Sequence, residues 1–246
     1  MAEAVGVSVE VTAAAPEPEP ELITDPAQPQ EPKAKKGPHA LVAPRTMLDK
    51  AAFEYTVHEL PGMLTRTLGG WGKGTISAAL QARGVAEADM PAQIKATAAK
   101  TLAIPTWQPS ELDLTVYPSD EVSVERDRLF VRLRRFATAL HVELTGQGYW
   151  FDGSCPATGC CLFGERGGCT WNELDGLTQL LRYAHLPAGC CGIVLHPDWG
   201  KKAYPVTLFT DAPLEALLAA LGKVEADWQD EEAFVTDEML GQGSCC

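Results

Sequence analysis

The sequence predicts an α+β sandwich, a mixed or antiparallel sheet with flanking helices, and three features of the 246-residue chain carry that prediction. Phe53, Tyr55 and Val57 alternate with Glu54, Thr56 and His58, the two-residue period of a half-buried strand. From about Ser123 to Thr145, Leu129, Leu133, Phe136, Leu140 and Leu144 recur on one helical stripe. Two apolar runs, Cys191 to His196 and Tyr204 to Thr210, flank the turn Pro197-Asp198-Trp199-Gly200 and read as an antiparallel hairpin.

The other elements are placed around these three. Pro61 suits the first position of a helix that carries Met63, Leu64 and Leu68. Gly69 to Thr75 reads as a connector: it lacks the spacing of a phosphate loop and follows a helix rather than a strand. Residues 76–105 read as Ala-rich helix broken at Pro105, and Leu112, Leu114 and Val116 as a second strand. In the long helix Ser123 is the expected N-cap and Gly146 the left-handed C-terminal residue. Its polar face carries Arg126, Arg128, Arg132, Arg134 and Arg135, either a partner surface or a solvated face. A strand at Gly148–Asp152, a helix near Trp171–Tyr183 and a last helix Leu214–Leu221, opened by Pro213 and stopped by Gly222, complete the reading.

Composition sets the domain limits. Residues 1–44 are rich in Pro, Glu and Ala, too poor in apolar side chains to offset chain entropy, and are expected to be disordered. A folded domain over 45–223 and an acidic, mobile tail over 224–246 follow. The formal charge of −13 and pI near 4.8 argue against a nucleic-acid partner, because a phosphate backbone repels such a surface. No run of about 18 apolar residues occurs, so no membrane span is expected. Residues 1–32 hold no Lys or Arg and seven acids, unlike a presequence or secretory signal, and the expectation is a cytoplasmic protein.

Catalytic motifs are sparse: no G-x-S-x-G, H-E-x-x-H or G-x-G-x-x-G occurs. The eight cysteines are the informative residues, and in a reducing compartment thiols serve metals or redox chemistry rather than disulfides. Cys190 and Cys191 lie between Gly189 and Gly192 where a loop enters a strand. Neighbouring strand side chains point to opposite faces, so one of the pair packs inward while the other reaches solvent or ligand. Flanking glycines admit a bulky ligand close to the backbone, and a thiolate there is a soft donor for a transition metal. Two small core residues explain the same pair equally well. Cys155, Cys160, Cys161 and Cys169 make a second cluster without the C-x2-C knuckles of zinc sites. The terminal Cys245-Cys246 is not a C-a-a-X box.

From Gly148-Tyr149-Trp150-Phe151-Asp152 onward the chain resembles a known family, the methylmalonic aciduria and homocystinuria type D, or cobalamin D, proteins. The likeness runs through Pro156, Gly159, Phe163-Gly164, Gly189-Cys190-Cys191, His196, Trp199-Gly200 and Phe209-Thr210, and covers about residues 53–221. It implies a modified nitroreductase-like fold without flavin and an adaptor, not an enzyme. It also implies a partner, the type C cobalamin-processing protein, and delivery of cobalamin towards methionine synthase and methylmalonyl-CoA mutase. By the resemblance, Cys190 is the cobalt ligand and Cys191 is structural, with Tyr149, Trp150, His196 and Trp199 as scaffold around the site. Cys155, Cys160, Cys161 and Cys169 and the stretch Leu180–Ala188 depart from the family pattern. Two other classes compete: a flavin-dependent reductase on the same fold, and a thiol-rich metal or redox protein built on the loop cysteines.

Overall fold

The computed structural model describes residues 40–116, 119–164, 168–188 and 191–229. An antiparallel five-stranded sheet runs in the order β1-β2-β3-β7-β4, formed by β1 (Ala40–Leu48), β2 (Phe53–Glu59), β3 (Leu102–Pro109), β7 (Ala203–Thr210) and β4 (Phe151–Gly153). A separate antiparallel pair joins β5 (His185–Ala188) to β6 (Cys191–Val194). The helices are α1 (Gly62–Trp71), α2 (Lys73–Ala82), α3 (Met90–Lys100), α4 (Asp120–Gly146), α5 (Glu173–Leu181) and α6 (Leu214–Asp227).

Both faces of the sheet are covered. Phe53, Tyr55, Val57, Ile104 and Leu208 pack against Leu133, Phe136 and Leu140 of α4 and Leu217 and Leu221 of α6. Ala103, Trp107 and Phe209 face the opposite layer, with Leu68 and Trp71 of α1, Ile76 of α2 and Leu177 and Leu180 of α5. The predicted α+β sandwich is therefore present. The stripe of α4 is buried as its spacing predicts, and burial of such side chains contributes roughly 1.5–3 kcal/mol each. No helix among the described residues is long and apolar enough to cross a membrane.

Several expectations need correction. A strand precedes Phe53: β1 pairs with β2 from Ala40, inside the segment expected to be disordered, because an edge strand needs little apolar surface once a neighbour supplies its hydrogen bonds. Gly69 to Thr75 is helix on either side of Gly72 rather than a connector. Residues 76–105 hold the end of α2, all of α3 and half of β3, a central strand in which Pro105 pairs with Thr207. The Ala-rich composition hid the switch from helix to strand after Thr101. Leu112–Val116 is a turn, since Asp113 accepts hydrogen bonds from the N–H and hydroxyl of Thr115. Ser119 rather than Ser123 caps α4, and Gly148, at φ +84°, takes the left-handed conformation assigned to Gly146. α6 runs on through Gly222 to Asp227. The hairpin is also paired differently: β6 bonds to β5, while β7 lies between β3 and β4. Alternation identifies strands but not their neighbours.

Candidate functional site

The β5–β6 pair is in register from His185 opposite Val194 to Ala188 opposite Cys191. Gly189, Cys190 and the Cys191 side chain lie outside the described residues. Next to them, Gly192 packs against α5, where a Cβ would stand 2.5 Å from Leu174 Cδ2. That close approach gives the glycine a packing reason beside the ligand approach that the sequence suggested: a larger side chain would require Leu174 to shift. Gly192, Ile193 and Val194 line a cavity of about 700 Å³ with Leu174, Arg126 and Tyr204.

After β6 the chain is fixed by His196. The residue is buried, and its Nδ1 accepts the backbone N–H groups of Asp198 and Trp199, both at 3.2 Å. The ring proton therefore sits on Nε2, which donates to Glu54 Oε1 on β2 at 3.0 Å. Trp199 stacks on the imidazole at 4.2 Å between centroids, and Trp107 and Tyr183 close its other sides. His196 and Trp199 are scaffold beside β6.

Tyr149 and Trp150 belong elsewhere. They line a second cavity, about 810 Å³, between α2 and the end of α4, and none of its lining residues is shared with the first. The Trp150 N–H donates to Asp211 Oδ1, its indole N–H to the Thr75 hydroxyl, and its carbonyl accepts from Thr210 Oγ1. Asp211 also holds Arg83 through two bonds of 2.7 and 3.1 Å, with Lys100 Nζ at 3.3 Å. Burial would raise the Asp211 carboxyl, but the bonds from Arg83 and Trp150 and the charges of Arg83 and Lys100 outweigh it and hold the value low. Asp152 has the opposite balance: burial raises it despite N–H groups of Gly153, Leu162 and Phe163 donating to Oδ1.

The loop cysteines do not assemble. Cys155 packs on the α4 side of the sheet and Cys161 on the α1 side, while Cys169 is exposed. Cys161 is pushed up, first by burial and then by Asp152, which keeps it a thiol; it contacts the Trp71 carbonyl at 3.7 Å. Among the described residues no three His, Cys, Asp or Glu side chains are grouped to hold a metal. The arginine face is likewise engaged internally: Arg126 donates to the Leu114 carbonyl, Arg128 to Glu125, Arg134 to the Leu162 carbonyl and Arg135 to the Gln229 carbonyl. Sequence reasoning missed Glu54 and Asp211, whose partners are 142 and 128 residues away and leave no local pattern.

Comparison with known proteins finds similarity over about half of the chain. The cobalamin trafficking protein CblD of Rattus norvegicus is 31% identical over 117 residues, 48% of this chain and 39% of the relative. The protein of that name from Homo sapiens is 30% identical over 113 residues, 46% and 38% of the two chains. The aligned part thus spans about two fifths of the length of these relatives. The family model described as methylmalonic aciduria and homocystinuria type D protein matches residues 90–221, more than half of the 246. By that match the chain belongs to the methylmalonic aciduria and homocystinuria type D protein family.

Proposed function

We propose that this chain is a cytoplasmic cobalamin-trafficking adaptor, not an enzyme, which receives processed cobalamin in a complex with the type C cobalamin-processing protein. Cobalamin is the cargo, and the Cys190 thiolate is its cobalt ligand, with Cys191 structural. Delivery is towards the cobalamin-dependent enzymes, methionine synthase and methylmalonyl-CoA mutase, and the sandwich is taken as a modified nitroreductase-like fold without flavin.

The observation that carries this reading is the family match over residues 90–221, which contains Gly189-Cys190-Cys191. Chemistry supports it. Thiolate sulfur is a soft donor suited to a transition metal, whereas a serine hydroxyl in its place is harder and stays protonated near neutral pH. The chain on both sides of Cys190 is held, by Ala188 opposite Cys191 and by Gly192 packed on Leu174.

One axial bond does not grip a corrin ring, which needs a large apolar cavity, so most corrin contacts fall to the partner. Cobalamin then tightens the heterocomplex by the factor by which the partner tightens cobalamin binding here. Calorimetric titrations with type C protein, with and without cobalamin, are expected to show that reciprocity. Equal partner affinity with and without cobalamin, or tight cobalamin binding by the chain alone, contradicts the adaptor reading.

A further inference from the structure

The cavity between α2 and α4 contains two buried polar atoms without a well-formed hydrogen bond among the described residues. Asp152 is fully buried, and its Oδ1 takes three backbone N–H groups, at 2.8 Å from Gly153, 2.9 Å from Leu162 and 3.2 Å from Phe163. Its Oδ2 has no well-formed hydrogen bond to any described residue. The Thr75 hydroxyl and the Cys161 thiol lie near this carboxyl and interact with it, while their hydrogen bonds go to the Gly72 and Trp71 carbonyls. Oδ2 lies 3.6 Å from where a Gly164 Cβ would stand, and Gly164 and Thr75 both line the cavity. On the α4 wall, His141 Nδ1 is also buried without a partner. An orphaned buried donor or acceptor costs about 1–3 kcal/mol, so a pair of them in one cavity calls for an occupant that bonds to them.

The walls define its shape. His141 stacks on Phe163 at 4.3 Å and 16°, and Tyr149 and Trp150 add further aromatic surface. Gly74, Ala78, Ala79 and Ala82 make the facing α2 wall low and smooth. Among the described residues Arg83 is the one Arg or Lys in the lining, and it is occupied by Asp211. A volume of about 810 Å³ is that of a small-molecule site rather than a packing defect.

We propose that this cavity binds a planar nitrogen heterocycle, with its ring edge on Asp152 Oδ2 and its faces against the aromatic wall. Because three N–H groups occupy Oδ1, any proton on the carboxyl sits on Oδ2. The protonated group donates to a ring nitrogen and the ionised group accepts from a ring N–H. A ring carrying both therefore pairs with either form, while a hydrocarbon of the same shape leaves Oδ2 and His141 Nδ1 unsatisfied. The site uses neither Cys190 nor the β5–β6 pair and stands apart from the cobalt-ligand reading.

The test is calorimetric titration of the full chain with benzimidazole, and with indene as its hydrocarbon counterpart. Saturable one-to-one binding of benzimidazole is expected, with indene weaker by about tenfold or more, the value of one hydrogen bond. Asp152→Asn keeps the three N–H contacts but changes the donor pattern at Oδ2, and is expected to weaken benzimidazole by a similar factor. Ala78→Trp fills the cavity from an exposed helical position and is expected to abolish binding without touching the core. No saturable binding to the wild-type chain, or binding unchanged in both variants, overturns the proposal.

Discussion

His196 on the chain leaving β6 donates its Nε2–H to Glu54 Oε1 on β2 at 3.0 Å, although 142 residues separate them. This bond ties the strand that follows Cys190 to the central sheet. Removal of the imidazole in His196→Ala leaves Glu54 buried without its partner and empties the space between Trp107 and Trp199. A loss of roughly 3–5 kcal/mol is expected in urea denaturation, with faster amide exchange in β6 than in β3. Equal exchange in both strands would show that the bond does not anchor β6.

Asp211 and Glu173 shift in opposite directions and so predict opposite pH effects. The Asp211 value is held low, so its stabilisation is present above the ordinary aspartate value of about 3.9 and disappears as pH falls through its folded value. Asp211→Asn is expected to flatten the acid limb of the stability curve below about pH 4. Burial raises Glu173 despite bonds from Ser154 and from the hydroxyl and N–H of Thr207. Its stabilisation is complete below about pH 4.3 and is lost as pH rises through the raised folded value. Glu173→Gln should therefore gain relative to wild type as pH rises from 4 to 7. Denaturant midpoints from about pH 2 to 7 check both signs, Asp211 below pH 4 and Glu173 above it.

Gly159 combines a left-handed backbone with a close approach. At φ +69° an added Cβ would stand 2.4 Å from the Trp171 carbonyl oxygen, and the Gly159 carbonyl itself accepts from Trp71 Nε1 and Trp171 N, both at 2.7 Å. Gly159→Ala is expected to cost roughly 2–5 kcal/mol, strain plus overpacking. Gly84, at φ +79° with open space around it, isolates the strain, and Gly84→Ala should cost only about 1–2 kcal/mol. Thermal denaturation of the pair separates the two contributions.

The sequence was legible where one period ran long enough. The α4 stripe describes one face against one core and was read correctly. The alternation at Phe53 to Val57 identified a strand, but not a half-buried one, since Glu54, Thr56 and His58 on its other face are buried as well. Pro105 misled because a proline usually ends a pattern; here it occupies a central strand, with Thr106 and Ile104 on either side still paired to β7. Strand order was hidden for a different reason: β7 pairs with β3 across about a hundred residues, and nothing local distinguishes that neighbour from β6. At the candidate site, His196, Trp199 and Gly192 were visible as a motif, but Glu54 and Leu174, which hold them, carry no local mark. The cysteines from 155 to 169 looked like a cluster in sequence, but Cys155 and Cys161 belong to the cores on opposite faces of the sheet and Cys169 is exposed.

The central claim rests on one sulfur. In the presence of cobalamin and the type C partner, wild-type chain and Cys191→Ser are expected to give the absorption spectrum of a cobalt–thiolate bond. Cys190→Ser should lack it while keeping wild-type thermal stability, because a serine hydroxyl stays protonated and does not replace a thiolate on cobalt. A cobalt–thiolate spectrum that persists in Cys190→Ser and disappears in Cys191→Ser, or is unchanged in both, would contradict the account.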